Sequence, residues 1–381
     1  MFLSDADLAG LVALRRDLHR RPELSGEEAA TARTVAQALA ATGADRILTG
    51  LGGHGVGAIY DGAAAGPTVM FRAELDGLPI EELGDRPHRS QRPGRAHACG
   101  HDGHMATLLA LAHGLGRECP ARGRAVLLFQ PAEENGAGAA AVLADPRFRE
   151  LAPDWAFALH NLPGLPLGRV ALREGPVNCA SRGLRVVLTG RTAHASMPEQ
   201  GTAPTETLAR LLPALAALGP GGPLGDGFAL VTVTHARLGE PSFGVAPGRA
   251  ELWATLRTFT DAGMASLCAE AEALCAAAAA EAGLGIELGY ADVFVHCENH
   301  PEAVAVLRRA LDAGGVPHAA GEPMRASEDF GRFGQAARAA MFFLGAGERH
   351  PSLHNPDYDF PDELIAVGAN QFMRTLRALL G

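Results

Sequence analysis

The sequence predicts an α/β protein interrupted by a small α+β domain, and three observations carry that reading. Helical and strand-like apolar periodicities alternate over roughly the first 160 residues and again after about residue 300, as expected for helices layered on a buried sheet. Between these stretches the order becomes β-α-β-β-α-β, which closes on itself as a ferredoxin-like sandwich of about 110 residues. A chain of 381 residues is also long enough for two buried cores at roughly 100–200 residues per domain. The expected division is a discontinuous larger domain, 1–179 and 296–381, holding an insert at 180–295.

Taken in order, residues 6–18 and 27–42 carry apolar side chains at helical spacing. Gly-rich turns then bracket short strands at 57–60 and 68–72. A helix over about 105–115, an apolar strand at 125–129, a helix over 138–143 and a strand at 155–159 repeat the alternation. In the insert, strands are expected at 184–188, 228–234, 249–258 and 285–293, with helices at 204–218 and 262–282. Its loop GPGGPLGDG, 219–227, is the most breaker-dense stretch of the chain. A helix at 301–313, a strand at 341–344 and a helix at 361–380 resume the α/β alternation.

Composition removes whole classes. Apolar residues make up 47% and charged residues 20%, and no uninterrupted run of about 18 apolar residues spans a bilayer. All 33 positive residues are arginine, with no lysine anywhere. Schiff-base and pyridoxal-phosphate chemistry need a lysine amine, and so does a Walker phosphate loop, so these are excluded. The net charge is −10 with scattered arginines, which argues against a nucleic-acid partner. The first residues place acids before arginines and lack a small-residue cleavage site, so they read as an amphipathic helix rather than a signal peptide. Six cysteines in so long a chain are expected to be reduced thiols in a cytoplasm.

The densest polar cluster is HACGHDGH, 97–104, just before an apolar helix. Cys99 and His101 stand two apart, so on a turning segment both can face one ion as soft and borderline ligands suited to zinc. The bland alternative is a histidine-rich helix cap with Asp102 as its N-cap. A second cluster, Glu133-Glu134, follows a fully apolar strand, where α/β sheets build sites. Adjacent acids repel unless a cation or proton separates them, which suggests one for metal and one for proton transfer. A solvated helix N-terminus is the alternative.

His160 and His354 each lie beside an apolar residue near a strand-to-loop junction, and either alone could be a satisfied core histidine. Together, Cys99, His101, Glu134, His160 and His354 exceed the three ligands of one catalytic zinc and suit two ions sharing a bridge. Asp76, after another strand, suits a carboxylate that orients a ligand imidazole, or is simply a turn acid before Gly77. His194, among small residues in the insert, is weak by itself. Ser327-Glu328-Asp329-Phe330 reads as a helix cap. Cys99 as a nucleophile beside a histidine stays open.

The ordered set RRPELSGEE, RAELDGLP, HACGHDGHMA, QPAEE, LHN, GRTAHAS, SEDF and LHNPDYDF closely resembles the amidohydrolase branch of the aminoacylase and carboxypeptidase type di-metal peptidases. That branch includes hippurate hydrolases, N-acyl-amino-acid deacylases and auxin-conjugate hydrolases. The resemblance implies a di-metal exopeptidase-like catalytic domain with an inserted lid or dimerisation domain. It matches Cys99, His101, Glu134, His160 and His354 to ligands of two divalent metals (zinc, manganese or cobalt), Glu133 to the general base and Asp76 to the acid behind the ligands. His194 matches a lid histidine that, in such enzymes, reaches the oxyanion of a partner subunit's site.

Two positions depart from the family's usual pattern: Glu74 stands where an aspartate is common, and Gly244 where an asparagine is common. Arg257 can pair a substrate carboxylate bidentately, or is an exposed strand arginine. The expectation is therefore a cytoplasmic, metal-dependent hydrolase of N-acyl amino acids, at least a homodimer, with no membrane partner. A dipeptidase or carboxypeptidase on the same scaffold is the enzymatic alternative. A metal- or ligand-binding relative without turnover is the other, although pure binding needs no free base.

Overall fold

The computed structural model describes residues 2–381. Ser4 and Asp7 cap the first helix reciprocally: Asp7 N–H donates to the Ser4 hydroxyl at 3.2 Å, and Ser4 N–H donates to the Asp7 carboxylate at 2.7 Å. The elements up to residue 178 are α1 (Asp5–His19), α2 (Ala29–Ala40), β1 (Arg46–Leu51), β2 (Gly55–Asp61), β3 (Thr68–Glu74), α3 (His101–Arg117), β4 (Arg124–Gln130), α4 (Gly138–Ala144), β5 (Trp155–Pro163), β6 (Val170–Leu172) and β7 (Gly175–Asn178). There follow β8 (Ala180–Thr189), β9 (Ala193–His194), α5 (Thr205–Leu218), β10 (Ala229–Leu238), β11 (Val245–Ala246), β12 (Arg249–Thr258), α6 (Asp261–Glu281) and β13 (Gly285–Phe294). The chain closes with β14 (Cys297–Asn299), α7 (Pro301–Ala313), β15 (His318–Ala320), β16 (Arg338–Gly347) and α8 (Glu363–Leu380).

The chain forms two compact units, one built from residues through Val177, Glu298–Glu322 and Asp329–Gly381, the other from Asn178–Cys297 and Pro323–Glu328. Residues 323–328, expected in the larger domain, join the smaller unit. There Cys179 N–H donates to the Met324 and Ala326 carbonyls and Arg257 donates to the Arg325 carbonyl.

The larger unit has an eight-stranded mixed sheet ordered β1-β2-β4-β3-β5-β16-β6-β15. Its centre is parallel: β3 pairs with β4 and β5, and β5 with β16. Fully buried strands need near-continuous apolar sequence, and β4 supplies it with Ala125 to Phe129, all at 0% exposure. Helices α3 and α8 bring Met105, Leu108, Leu364 and Phe372 into the core formed with Phe71 and Phe157 of the sheet. Each such side chain removed from water contributes about 1.5–3 kcal/mol. Parallel strands end on one edge, so the residues after β3, the residues after β4 and the end of β5 gather in one crevice, where open α/β sheets bind ligands.

The smaller unit is a four-stranded antiparallel sheet, β10-β12-β8-β13. Alternate β12 residues Ala250, Leu252, Ala254 and Leu256 pack with Leu208 and Leu211 of α5 and with Met264, Leu267 and Ala271 of α6. This is the period-2 strand against the 3.6-period helix that the sequence shows. By length and mean hydropathy alone, α6 is apolar enough to cross a membrane, although Glu270 and Glu272 interrupt its apolar run. Its Met264, Leu267, Ala271, Cys275 and Ala279 are buried in this core. A separate two-stranded antiparallel sheet, β9 with β11, opposes His194 to Val245.

Candidate metal centre

The strand-edge crevice of the larger unit collects four of the clusters read from sequence. Gly100 makes the first possible. It precedes α3 at φ 93°, in the left-handed region, and a Cβ there would meet Asn161 Oδ1 at 2.4 Å. The tight turn places Cys99 and His101 on one side at the start of the helix. Asp102 is not the N-cap: that position is Gly100, without a side-chain cap.

Two of the buried histidines are held by a main-chain carbonyl at one nitrogen and present the other. His101 Nδ1–H donates to the Asp76 carbonyl at 2.8 Å, leaving its buried Nε2 without a hydrogen-bond partner among the described residues, 3.9 Å from Glu134 Oε1. His160 Nδ1–H donates to the Asn161 carbonyl at 2.8 Å, and its Nε2 lies 3.5 Å from Cys99 Sγ. His354 Nε2 lies 3.5 Å from Glu134 Oε2. Its backbone sits at φ 64° and its N–H donates to the Ala98 carbonyl at 2.8 Å. A non-glycine residue in that region marks strain that the surroundings maintain.

The donor atoms of Cys99, His101 and His160 lie within 4.8 Å of one another, and so do those of Cys99, Glu134 and His354. Cys99 belongs to both triplets. A third overlapping triplet, His101, Glu133 and Glu134, brings in the second glutamate. Glu133 is buried and accepts the Asp329 N–H at 3.4 Å. The Glu133-Glu134 pair lies in a turn between β4 and α4, not in a helix N-terminus.

Electrostatics explain what such a cluster is suited to hold. Burial, reinforced by Glu134, Glu133 and Glu74, pushes the Cys99 thiol well above its usual range. That is the reverse of what a free thiolate nucleophile needs. Burial alone would lower the His101 pKa, but Asp76, Glu74 and Glu134 outweigh it and raise it to about 10. Burial and the neighbouring His104 and His101 lower His160 to about 3. These surroundings favour the protonated thiol and the charged His101 ring, and a divalent ion held here would displace both protons. An orphaned imidazole nitrogen, a thiol among carboxylates and overlapping N, S and O triplets fit divalent ions.

Asp76 is fully buried. Its carboxylate accepts the Glu134 N–H at 3.0 Å and the Ser25 hydroxyl at 2.7 Å, and lies 3.5 Å from His101 Nδ1. Burial works against its ionisation, yet these partners keep it below the usual carboxylate range. Glu74, the departure from the common aspartate, is spent on structure: it pairs with Arg72 and meets His104 Nδ1 at 2.6 Å.

Sequence reasoning missed Arg72, Asp329, His104 and Asn161. Arg72 bridges to Asp329 at 2.6 Å, whose carboxylate also accepts Gln130 at 2.8 Å and the Ala139 N–H at 2.8 Å. Asp329 is thus a buried anchor for the segment that carries both glutamates rather than the end of a helix cap. The only cue for it was the SEDF motif.

Two expected residues lie in the smaller unit. His194 is exposed on the β9–β11 pair, its Nδ1 accepting from Ser196 N–H at 3.2 Å. Arg257 is half-buried rather than an exposed strand arginine, donating to the Arg325 carbonyl at 3.0 Å and the Ser327 hydroxyl at 2.9 Å.

A family model described as peptidase family M20/M25/M40 matches residues 70–378. N-acetylcysteine deacetylase of Bacillus subtilis is 27% identical over 363 residues, covering 95% of this chain and 94% of that protein. Hippurate hydrolase of Campylobacter jejuni is 29% identical over 364 residues, covering 95% of this chain and 94% of that protein. The crystal structure of the Bacillus subtilis YxeP protein, described as a dinuclear metal binding peptidase from the M20 family, superposes with a TM-score of 0.82 at 26% identity over 99% of both chains.

Proposed function

Because the chain belongs to peptidase family M20/M25/M40, as its motifs anticipated, we propose that it is a metal-dependent amidohydrolase cleaving the amide bond of N-acyl amino acids. One observation carries this beyond family membership: the five ligand candidates converge in overlapping triplets while a sixth group, the buried Glu133 carboxylate, reaches the same cluster. A binding protein needs the five and not the sixth. The substrate class is supported by the names of relatives aligned along almost the whole chain, an N-acetylcysteine deacetylase and a hippurate hydrolase.

In this reading Cys99, His101, His160, Glu134 and His354 hold two divalent ions. When bound, such ions polarise the acyl carbonyl and let water act as a nucleophile near neutral pH. Glu133 accepts the proton of the attacking water and delivers it to the leaving nitrogen, the general-base step that contributes roughly 10²–10⁴-fold. Asp76, through the Glu134 N–H and beside His101, holds two of the ligands in orientation. His194 is assigned to the oxyanion of a partner subunit's site: its Nδ1 accepts from Ser196, which leaves Nε2 to donate. Arg257 is assigned to the substrate carboxylate through the guanidinium nitrogens that Arg325 and Ser327 leave over.

The thiol among imidazoles favours zinc, with manganese or cobalt as alternatives. All six cysteines are free thiols, in keeping with a reducing cytoplasm. A homodimer is proposed on the likeness of the inserted domain to a dimerisation module.

The test is elemental analysis together with a panel of N-acetyl and N-benzoyl amino acids and dipeptides, with and without chelator. Glu133→Gln should retain its metals and lose turnover by at least about 10²-fold. Metal loss in that variant would mean that the two glutamates are exchanged. Preference for dipeptides would replace the acyl-amino-acid reading.

A further inference from the structure

The RRPELSGEE motif contributes no candidate ligand and no base, yet it holds a buried carboxyl that the candidate site does not account for. Glu28, at the start of α2, is 0% exposed, and among the described residues no arginine or histidine pairs with it. Burying a carboxyl away from water costs several kcal/mol unless hydrogen bonds replace the solvent. Its Oε1 accepts two main-chain donors, Gly26 N–H at 2.9 Å and Ala132 N–H at 2.8 Å, while Oε2 has no partner among the described residues.

Ala132 directly precedes Glu133 and stands at φ 50°, a left-handed conformation that a non-glycine residue adopts at a cost of about 1–3 kcal/mol. A neighbour in the same motif acts next to it. Ser25 donates to Asp76, and Asp76 accepts the Glu134 N–H. Further along, Asp329 accepts the Ala139 N–H. Three buried carboxylates from distant parts of the chain thus grip main-chain N–H groups at 132, 134 and 139. The grip closest to the base is Glu28.

We propose that Glu28 is a positioning residue for Glu133, fixing the left-handed turn at Ala132 through its N–H and so aiming the Glu133 carboxylate at the ligand cluster. The inference rests on Glu133 being the base. Burial raises the Glu28 carboxyl pKa, so a neutral amide oxygen at the same place can serve as well.

The experiment compares wild type, Glu28→Gln, Glu28→Ala and Glu28→Met, the last filling the space without an acceptor should the alanine variant not fold. For each metal-loaded protein, kcat and KM are measured on the best-hydrolysed N-acyl amino acid, with metal content and amide exchange of the peptide spanning 130–139. Glu28→Ala or Glu28→Met should lose at least about 10-fold in kcat, with KM within about two-fold, because misplacement of a catalytic group acts on the chemical step. Two ions per chain should remain, and exchange at 132–133 should accelerate. Glu28→Gln should stay within about three-fold of wild type, since it retains the acceptor.

Adding Glu133→Gln to Glu28→Ala should cost nothing beyond Glu133→Gln alone. The proposal is overturned if kcat is unchanged without the acceptor, if its loss tracks metal loss, or if Glu28→Gln is as slow as Glu28→Ala. A wild type that hydrolyses no member of the panel strikes the functional reading first, and this inference with it. An active wild type whose exchange is unaltered by Glu28→Ala strikes this inference alone.

Discussion

Replacing His19 by glutamine should remove a pH dependence of stability that the structure assigns to one buried ion network. His19 Nδ1 meets Asp102 at 2.8 Å and Nε2 meets Glu82 at 3.3 Å, both buried, and Arg15 reaches the same Asp102 at 3.2 Å. Burial by itself would discharge the imidazole, but Asp102 and Glu82 outweigh it and push its pKa up from the usual 6.5 to about 9. That interval corresponds to about 3 kcal/mol of preference for the charged ring in the folded state. A group raised on folding contributes fully below its unfolded value and ceases to contribute as pH passes its folded one. The contribution is therefore complete below about pH 6.5 and gone above about pH 9.

The matching depression of Asp102, caused by the same pair, describes the same free energy and is not added. Urea unfolding followed by Trp155 in a Trp253→Phe background reports the larger unit. Between pH 6 and pH 9.5 wild type should lose about 3 kcal/mol more than His19→Gln. Equal losses in the two proteins would refute the assignment.

Two further outcomes follow from the centre itself. Cys99→Ser should deplete both ions on elemental analysis, because Cys99 belongs to both ligand triplets, whereas His160→Ala and His354→Ala should each weaken one. A Cys99→Ser protein holding two tightly bound ions would contradict the shared-ligand arrangement. Gly100→Ala forces a Cβ to within 2.4 Å of Asn161 Oδ1 in a left-handed backbone. It should cost about 1–3 kcal/mol in urea unfolding and displace Asn161 from His104.

The convergence of the candidate ligands was legible in the sequence because strand ends and helix starts carry chemistry at short range: HACGHDGH brings its own turn, and Glu133-Glu134 follows an apolar strand. The groups that hold them were not. Arg72 reads as an ordinary strand residue until Asp329, 257 positions away, comes beside it. Glu28 looks like one of several acids near a helix start until its oxygen meets Ala132, 104 positions on. Arg257 looks exposed by strand alternation, but segment 325–327 covers it. Periodicity sees only faces and turns. Partners brought together by topology leave no spacing to read.

The anchoring of the glutamate segment by Asp329 has a consequence for how the protein comes into being. A ribosome delivers Glu133, Glu134 and most of their neighbours long before residue 329 emerges, and Arg72 and Gln130 must wait for that late arrival. The order of the glutamate segment is thereby withheld from the growing polypeptide until a residue nearly two hundred positions further on has been made.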